Sequence, residues 1–262
     1  MSFYDAHCHL QDERIASRVE EVVRLYGNLG VRASVVNGTC EEDWGKIARL
    51  GKSHDCLRPS FGLHPWKAPA AGALWKERLI ELWDSNPNSG VGEIGLDRWI
   101  EGYDLSIQEP VFLWQLEQAV ERDAAVSIHC LRAWGRLLEL LESQPVPKRG
   151  FLLHSYGGSE EMLAPLAKLG AYFSVSGYFA LERKERQRSV LRKIPLDRLL
   201  IETDAPDMLG PKEFSLYRFS GDEGLNHPAN IVGVYSFVAE LLGMPLEELK
   251  GQVEDNFIRF FG

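Results

Sequence analysis

The sequence predicts an α/β chain folded as one (β/α)8 barrel of the TIM type, and three observations carry that expectation. Eight short runs that are apolar, β-branched or bounded by glycine recur along 262 residues: Phe3–Cys8, Ala33–Gly38, Cys56–Leu63, Gly90–Leu96, Ala125–His129, Gly150–His154, Ala171–Val175 and Arg198–Thr203. Longer stretches with apolar residues at three- and four-residue spacing lie between them, among them Ile107–Asp123, Ala133–Glu142 and Met162–Leu169, as amphipathic helices require. The length suits a barrel of roughly 250 residues. Such alternation implies parallel strands with right-handed crossovers, and eight units in this length favour a closed barrel over an open doubly wound sheet. No Ser/Gly/Pro-rich linker or block of like charge interrupts the pattern, so residues 1–262 read as a single domain with its site at the C-terminal ends of the strands.

Bulk properties narrow the function classes. Hydrophobic residues make up 45% and charged residues 26%, enough to bury a large core and unlike a disordered chain. No apolar run approaches the roughly 20 residues that span a bilayer, and MSFYDAHCHL enters a strand-like run without a basic-then-apolar leader, so a cytoplasmic protein with no membrane partner is expected. Cys8, Cys40, Cys56 and Cys130 lie far apart without a CxxC pair, which is neither a disulfide framework nor a thiolate zinc site. A net charge of −9 argues against coating duplex DNA through a broad basic face. It leaves a nuclease open, because bound cations can supply positive charge locally.

Six of the eight strand ends then add to one pattern. The first ends in Asp5-Ala6-His7-Cys8-His9, and two histidines at i and i+2 point the same way, able to share an ion. An isolated pair of this kind is as easily packing as ligation. The third end carries His64 in GLHP, the fourth Glu93 in GEIGLD, the fifth His129 in SIHC, the sixth His154 in LLHS and the eighth Asp204 in ETDAP. A barrel gathers its strand ends around one mouth, so residues scattered over 200 positions converge on one pocket.

Imidazoles and carboxylates together suit Zn²⁺, Mn²⁺, Ni²⁺ or Fe²⁺ better than Mg²⁺, which prefers oxygen, and the ligand types leave the metal open among Zn, Mn, Mg and Ni. Two divalent metal ions can be held if one carboxylate bridges them, and Glu93, between glycines and central in the strand order, is the natural bridge. Ions so placed lower the pKa of water towards about 7 and polarise a phosphoryl or carbonyl oxygen. Asp204 is expected to ligate and to accept the water's proton, the alternative being a helix N-cap before Ala205-Pro206.

At these residues the chain resembles the TatD-like metal-dependent deoxyribonuclease family, within the wider amidohydrolase-type barrels. The resemblance runs from Asp5 to about Asn230 through DAHCHL, GLHPW, GEIGLD, SIHC, LLHSYGG, YFSVSGYF and LLIETDAP, in the family's order. It implies a two-metal site in which His7, His9 and Asp204 hold one ion, His129 and His154 the other, and Glu93 both, with His64 facing a substrate phosphate. It also implies phosphodiester hydrolysis, with DNA single strands or ends as partner. The alternative is an amide, lactone or small phosphoester substrate. A carbamylated-lysine bridge has no candidate, since Glu93 occupies that strand end. No obligate protein partner is evident.

The chain departs from the family pattern at three places. Arg132 lies three residues after His129 where the family places an arginine two after; Arg98-Trp99 follows GEIGLD where a tyrosine is commoner; and Asn226-His227-Pro228 replaces Asn-Glu-Pro. Arg98, Arg132 and Lys67 follow strand ends and could grip phosphate, or be solvated surface charges. The basic stretch Arg183–Lys193 could border a nucleic-acid groove or be a solvated helix face. Trp66, Trp99, Tyr156, Tyr178 and Phe179 could stack on bases or pack under loops. Cys8 and Cys130 should pack on the face away from the ligands, His54 should be exposed, and His227 could support the site from behind.

Overall fold

Every predicted run forms a strand, and each strand lies parallel to the one before it. The computed structural model describes residues 2–262, with β1 (Phe3–Cys8), β2 (Val31–Asn37), β3 (Leu57–Phe61), β4 (Gly90–Asp97), β5 (Val126–Leu131), β6 (Phe151–Leu153), β7 (Ala171–Val175) and β8 (Leu199–Ile201) hydrogen-bonded in that order. The longer helices are α1 (Val19–Leu29), α2 (Glu41–Ser53), α3 (Trp75–Ser85), α4 (Leu105–Arg122), α5 (Trp134–Ser143), α6 (Leu163–Lys168), α7 (Glu185–Leu191), α8 (Ile231–Leu242) and α9 (Leu246–Phe261). Strands buried on both faces read as continuous apolar runs, which is why alternation was a weak guide to their ends. β3 stops two residues before the predicted Leu63 and β8 two before Thr203, where the chain turns out of the sheet towards His64 and Asp204.

Strand β4 is tied to β5 by a close approach that only glycine allows. Gly95 pairs with His129 at φ +147°, and a Cβ there would stand 1.9 Å from the His129 carbonyl oxygen. The absence of that Cβ lets the strand carrying Glu93 lie directly against the strand carrying His129.

The barrel closes between its first and last strands by unusual means. Asp204 N–H donates to the His7 carbonyl at 2.9 Å and His9 N–H to the Ala205 carbonyl at 2.7 Å, just beyond the end of β8. One rung lower, the fully buried Asp5 carboxylate accepts from Thr203 N–H (2.9 Å) and the Thr203 hydroxyl (2.6 Å). Lower still, the Tyr235 hydroxyl of α8 accepts from Tyr4 N–H and donates to the Tyr4 carbonyl, both at 3.1 Å. Side chains thus satisfy the backbone groups that a longer β8 would have paired.

Helices α8 and α9 pack over this closure against β1 and β8. No single helix among the described residues is long and apolar enough to cross a membrane; α8 and α9 pass on composition only as a pair bent by 108°.

Candidate metal centre

Because side chains alternate along a strand, Asp5, His7 and His9 share one face of β1, Glu93, Gly95 and Asp97 one face of β4, and Ser127 and His129 one face of β5. The mouth of the barrel brings His7, His9, His64, Glu93, His129, His154 and Asp204 into one cluster. All are buried except His9 and His129, which are partly so.

Glu93 stands at the centre, and its two oxygens face different partners. Oε2 lies 3.4 Å from His7 Nε2 and 3.3 Å from His9 Nε2. Oε1 lies 3.0 Å from His129 Nδ1, 2.8 Å from His154 Nε2 and 3.4 Å from His64 Nε2. Asp204 Oδ1 belongs to the first group, 3.4 Å from His9 and 3.7 Å from His7. The chain places Asp204 there with φ at +52°, in a turn closed by Asp207 N–H to the Asp204 carbonyl (3.0 Å). No helix starts at that point, so the N-cap alternative for Asp204 falls. A left-handed Asp costs on the order of 1 kcal/mol and is held by the surrounding backbone bonds.

The second nitrogen of each ring decides which atom faces the centre. His9 Nδ1 meets the Asn37 carbonyl at 2.9 Å, and a carbonyl only accepts, so Nδ1 carries hydrogen and Nε2 a lone pair. His129 Nε2 is held by Asp97 Oδ2 at 2.7 Å, which leaves Nδ1 free. His7 Nδ1 meets the Ser127 hydroxyl at 2.8 Å. His154 Nδ1 faces Glu202 Oε1 at 3.7 Å, both otherwise without a partner, and the other Glu202 oxygen accepts from the Ser174 hydroxyl. His64 is the reverse case: its Nδ1 accepts from Trp66 N–H at 3.1 Å, so the neutral ring carries hydrogen on Nε2 and presents a donor to the mouth.

These lone pairs converge as ligands of a cation would. His7 Nε2 and His9 Nε2 are 3.1 Å apart, and His129 Nδ1 and His154 Nε2 3.2 Å. Two neutral imidazoles bonded at ~2.0–2.1 Å to one tetrahedral ion stand ~3.3 Å apart. Groups of His, Asp and Glu able to hold an ion recur here: His7, His9 and Asp204; His64, Glu93 and His129; and His7, His154 and Glu202.

The electrostatics tell the same story in protons. Burial pulls His9 down, but Asp204 and Glu93 more than reverse it and hold the ring well above its usual value. His154 is raised in the same way by Glu93 and Glu202 against burial, and His129 by Asp97 and Glu93. Burial dominates for His7 and His64, both lowered to about 4. Glu93 opposes its own burial and lies well below the usual carboxylate range because His154, His64, His7 and His129 surround it. Asp97 is likewise held at about 2, chiefly by His129 against burial.

Two members of this network, Asp97 and Glu202, escaped the sequence reading. The period of two that joined His7 to His9 also joins Glu93 to Asp97 through Gly95, and Glu202 to Asp204, so the signal was present. Ser127 and Asn37 had no such signal, since a serine and a carbonyl become partners only when strands pair.

Other expectations divide. Lys67, Arg98 and Arg132 sit exposed at the mouth after β3, β4 and β5, and among the described residues none forms an ion pair. Trp66 and Trp99 are exposed, whereas Tyr156 and Phe179 are buried, Tyr156 being wedged between Trp134 and Phe173. Cys8 and Cys130 are buried off the cluster as expected. His54 is half-buried rather than exposed, because it ends α2 with Nε2 3.2 Å from Glu20. His227 accepts from Ala229 N–H with its ring 4.3 Å from Phe219, a packed role in place of one behind the site. In the basic stretch, Arg188 binds the Phe179, Ala180 and Leu181 carbonyls and so anchors the loop after β7.

Comparisons with known proteins bear on the family and the fold. The family profile described as TatD related DNase matches residues 4–262. An uncharacterised metal-dependent hydrolase of Escherichia coli K12, YjjV, is 28% identical over 99% of this chain and 97% of its own length, and its crystal structure superposes with a TM-score of 0.90. The 3'-5' ssDNA/RNA exonuclease TatD of the same organism is 27% identical over 99% of this chain and 98% of its own. A TatD-family hydrolase from Entamoeba histolytica, at 20% identity and a TM-score of 0.86, shares the fold.

Proposed function

We propose a function for a chain that belongs to the TatD-related DNase family of metal-dependent hydrolases: hydrolysis of phosphodiester bonds in nucleic acid, single-stranded or at ends, by one catalytic unit spanning residues 1–262. The observation that carries the reading is the division of Glu93, whose two oxygens face two separate sets of imidazoles. We assign His7, His9 and Asp204 to one ion, His129 and His154 to a second, and Glu93 to both. As carboxylates, Glu93, Asp97, Glu202 and Asp204 carry a charge that two divalent ions balance. The imidazole-rich donor set favours Zn²⁺, Mn²⁺ or Ni²⁺ over Mg²⁺.

When bound, the ions supply an activated water and stabilise the charge that develops on the attacked phosphoryl group. The chain's own residues do the rest. Asp204, held by its left-handed turn at the rim of the cluster, takes the water's proton at Oδ. His64, a buried neutral ring with hydrogen on Nε2, donates to a non-bridging phosphate oxygen. Arg98, Arg132 and Lys67 attract the neighbouring phosphates, which lets an acidic protein bind a polyanion.

The test is direct. Protein reconstituted with Mn²⁺ or Zn²⁺ should shorten a labelled single-stranded oligodeoxynucleotide. Asp204→Asn should slow that reaction by ~10²–10⁴-fold, the range of a general base, while the melting temperature stays within a few degrees. An intact oligonucleotide beside turnover of an amide, lactone or small phosphoester would replace the nuclease reading with small-molecule hydrolysis.

A further inference from the structure

Trp66 and Trp99 are large apolar side chains left open at the mouth, 43% and 54% exposed. Their rings face each other at 27° with centroids 6.3 Å apart. Both are fixed to the cluster. Trp66 N–H donates to His64 Nδ1, and the Trp66 ring stands edge-on to His64 at 5.1 Å and 6.2 Å from His129. Trp99 N–H donates at 2.5 Å to Asp97 Oδ1, while the other oxygen of that carboxylate holds His129. Through their backbone N–H groups the two residues that carry the indoles are therefore held by His64 and Asp97, which also set the β3–β5 side of the centre.

Exposed tryptophans on rigid supports present π-faces, and any nucleobase offers a matching face without regard to sequence. A base in duplex is already stacked on its neighbours, so only an unpaired or extruded one is free to use this surface. The charge around the pair agrees. Lys67 follows Trp66, Arg98 precedes Trp99, Arg132 follows β5 at the same mouth, and none is neutralised by an ion pair among the described residues. In a chain of net charge −9, an apolar ring pair set among unspent cations suits a ligand with a flat ring on an anionic backbone.

We infer that Trp66 and Trp99 form a base-stacking subsite that holds one unpaired nucleobase next to the scissile phosphate and so makes the site selective for single strands. The inference rests on the nuclease reading. Its test is binding, so that the two can fail separately. Fluorescein-labelled oligo(dT) and an abasic oligomer of equal length present the same phosphates and differ only in bases. Both are titrated by anisotropy into the metal-loaded Asp204→Asn protein, with and without Trp66→Ala and Trp99→Ala, and circular dichroism melting checks each fold.

The parent should bind oligo(dT) at least about fivefold more tightly than the abasic strand, and the tryptophan variants should lose that margin while abasic binding stays unchanged. Trp66→Phe and Trp99→Phe should keep most of it. An equal preference for bases in parent and variants overturns the subsite, as does a parent with no preference. Wild-type cleavage of the same oligo(dT) then shows whether the nuclease reading survives without it.

Discussion

A histidine becomes a ligand or a donor according to what holds its other nitrogen. His9 and His129 are committed to lone pairs at the centre by a carbonyl and a carboxylate, and His64 to a hydrogen by a single backbone N–H. The five rings of His7, His9, His64, His129 and His154 were legible in the sequence because histidines at four strand ends are conspicuous; their tautomers were not, because the partners Asn37, Ser127 and Trp66 are set by strand pairing and turn geometry. Glu202 is the residue whose part is easiest to isolate. Replacing it with glutamine keeps the volume but removes the negative charge behind His154. Such supporting carboxylates typically change affinity by 10–100-fold. Glu202→Gln should therefore weaken binding of the ion assigned to His129 and His154 by about that factor in competition with a chelator, and unchanged affinity for both ions would remove Glu202 from the network.

At the scale of elements, the alternation of strands and helices fixed the barrel, and the runs Phe3–Cys8 and Ala171–Val175 match β1 and β7 to the residue. The shortness of β6 and β8 was not readable, since both lie in longer apolar runs that leave the sheet early. Nor was the part played by α8, whose apolar sequence gives no sign that Tyr235 completes the ladder of β1. Removing that hydroxyl would leave the buried N–H and carbonyl of Tyr4 unpaired, at about 1–3 kcal/mol. Tyr235→Phe should lower unfolding free energy in urea by that amount with the slope unchanged, and a loss below about 0.5 kcal/mol would mean that the closure does not depend on α8.

Across the whole molecule, ions and protons compete for one set of lone pairs. His9, His129 and His154 are raised in the metal-free protein, so the stability they lend is fully present below the unfolded value of about 6.5 and fades as pH rises through their folded values. His7 and His64, lowered to about 4, are neutral across that window and do not alter the sign. Ions bound by these rings would compete with protons for the same lone pairs and so offset this loss. The rise in melting temperature produced by Zn²⁺ should thus grow steadily from pH 6 to pH 9. A rise that is flat or shrinking over that range would show that the imidazoles are not the ligands.

The closure between β1 and β8 also orders events in time. His7 and His9 precede Asp204 and Tyr235 by the whole of β2 to β8, so the nascent chain carries the two imidazoles assigned to the first ion before their carboxylate partner Asp204 is made. Any fragment that stops before β8 has His7 and His9 but not Asp204, and it lacks β8, one of the two strands of the closure. An ion held by these residues would join β1 to the segment after β8, and its capture would report that the last strand has arrived.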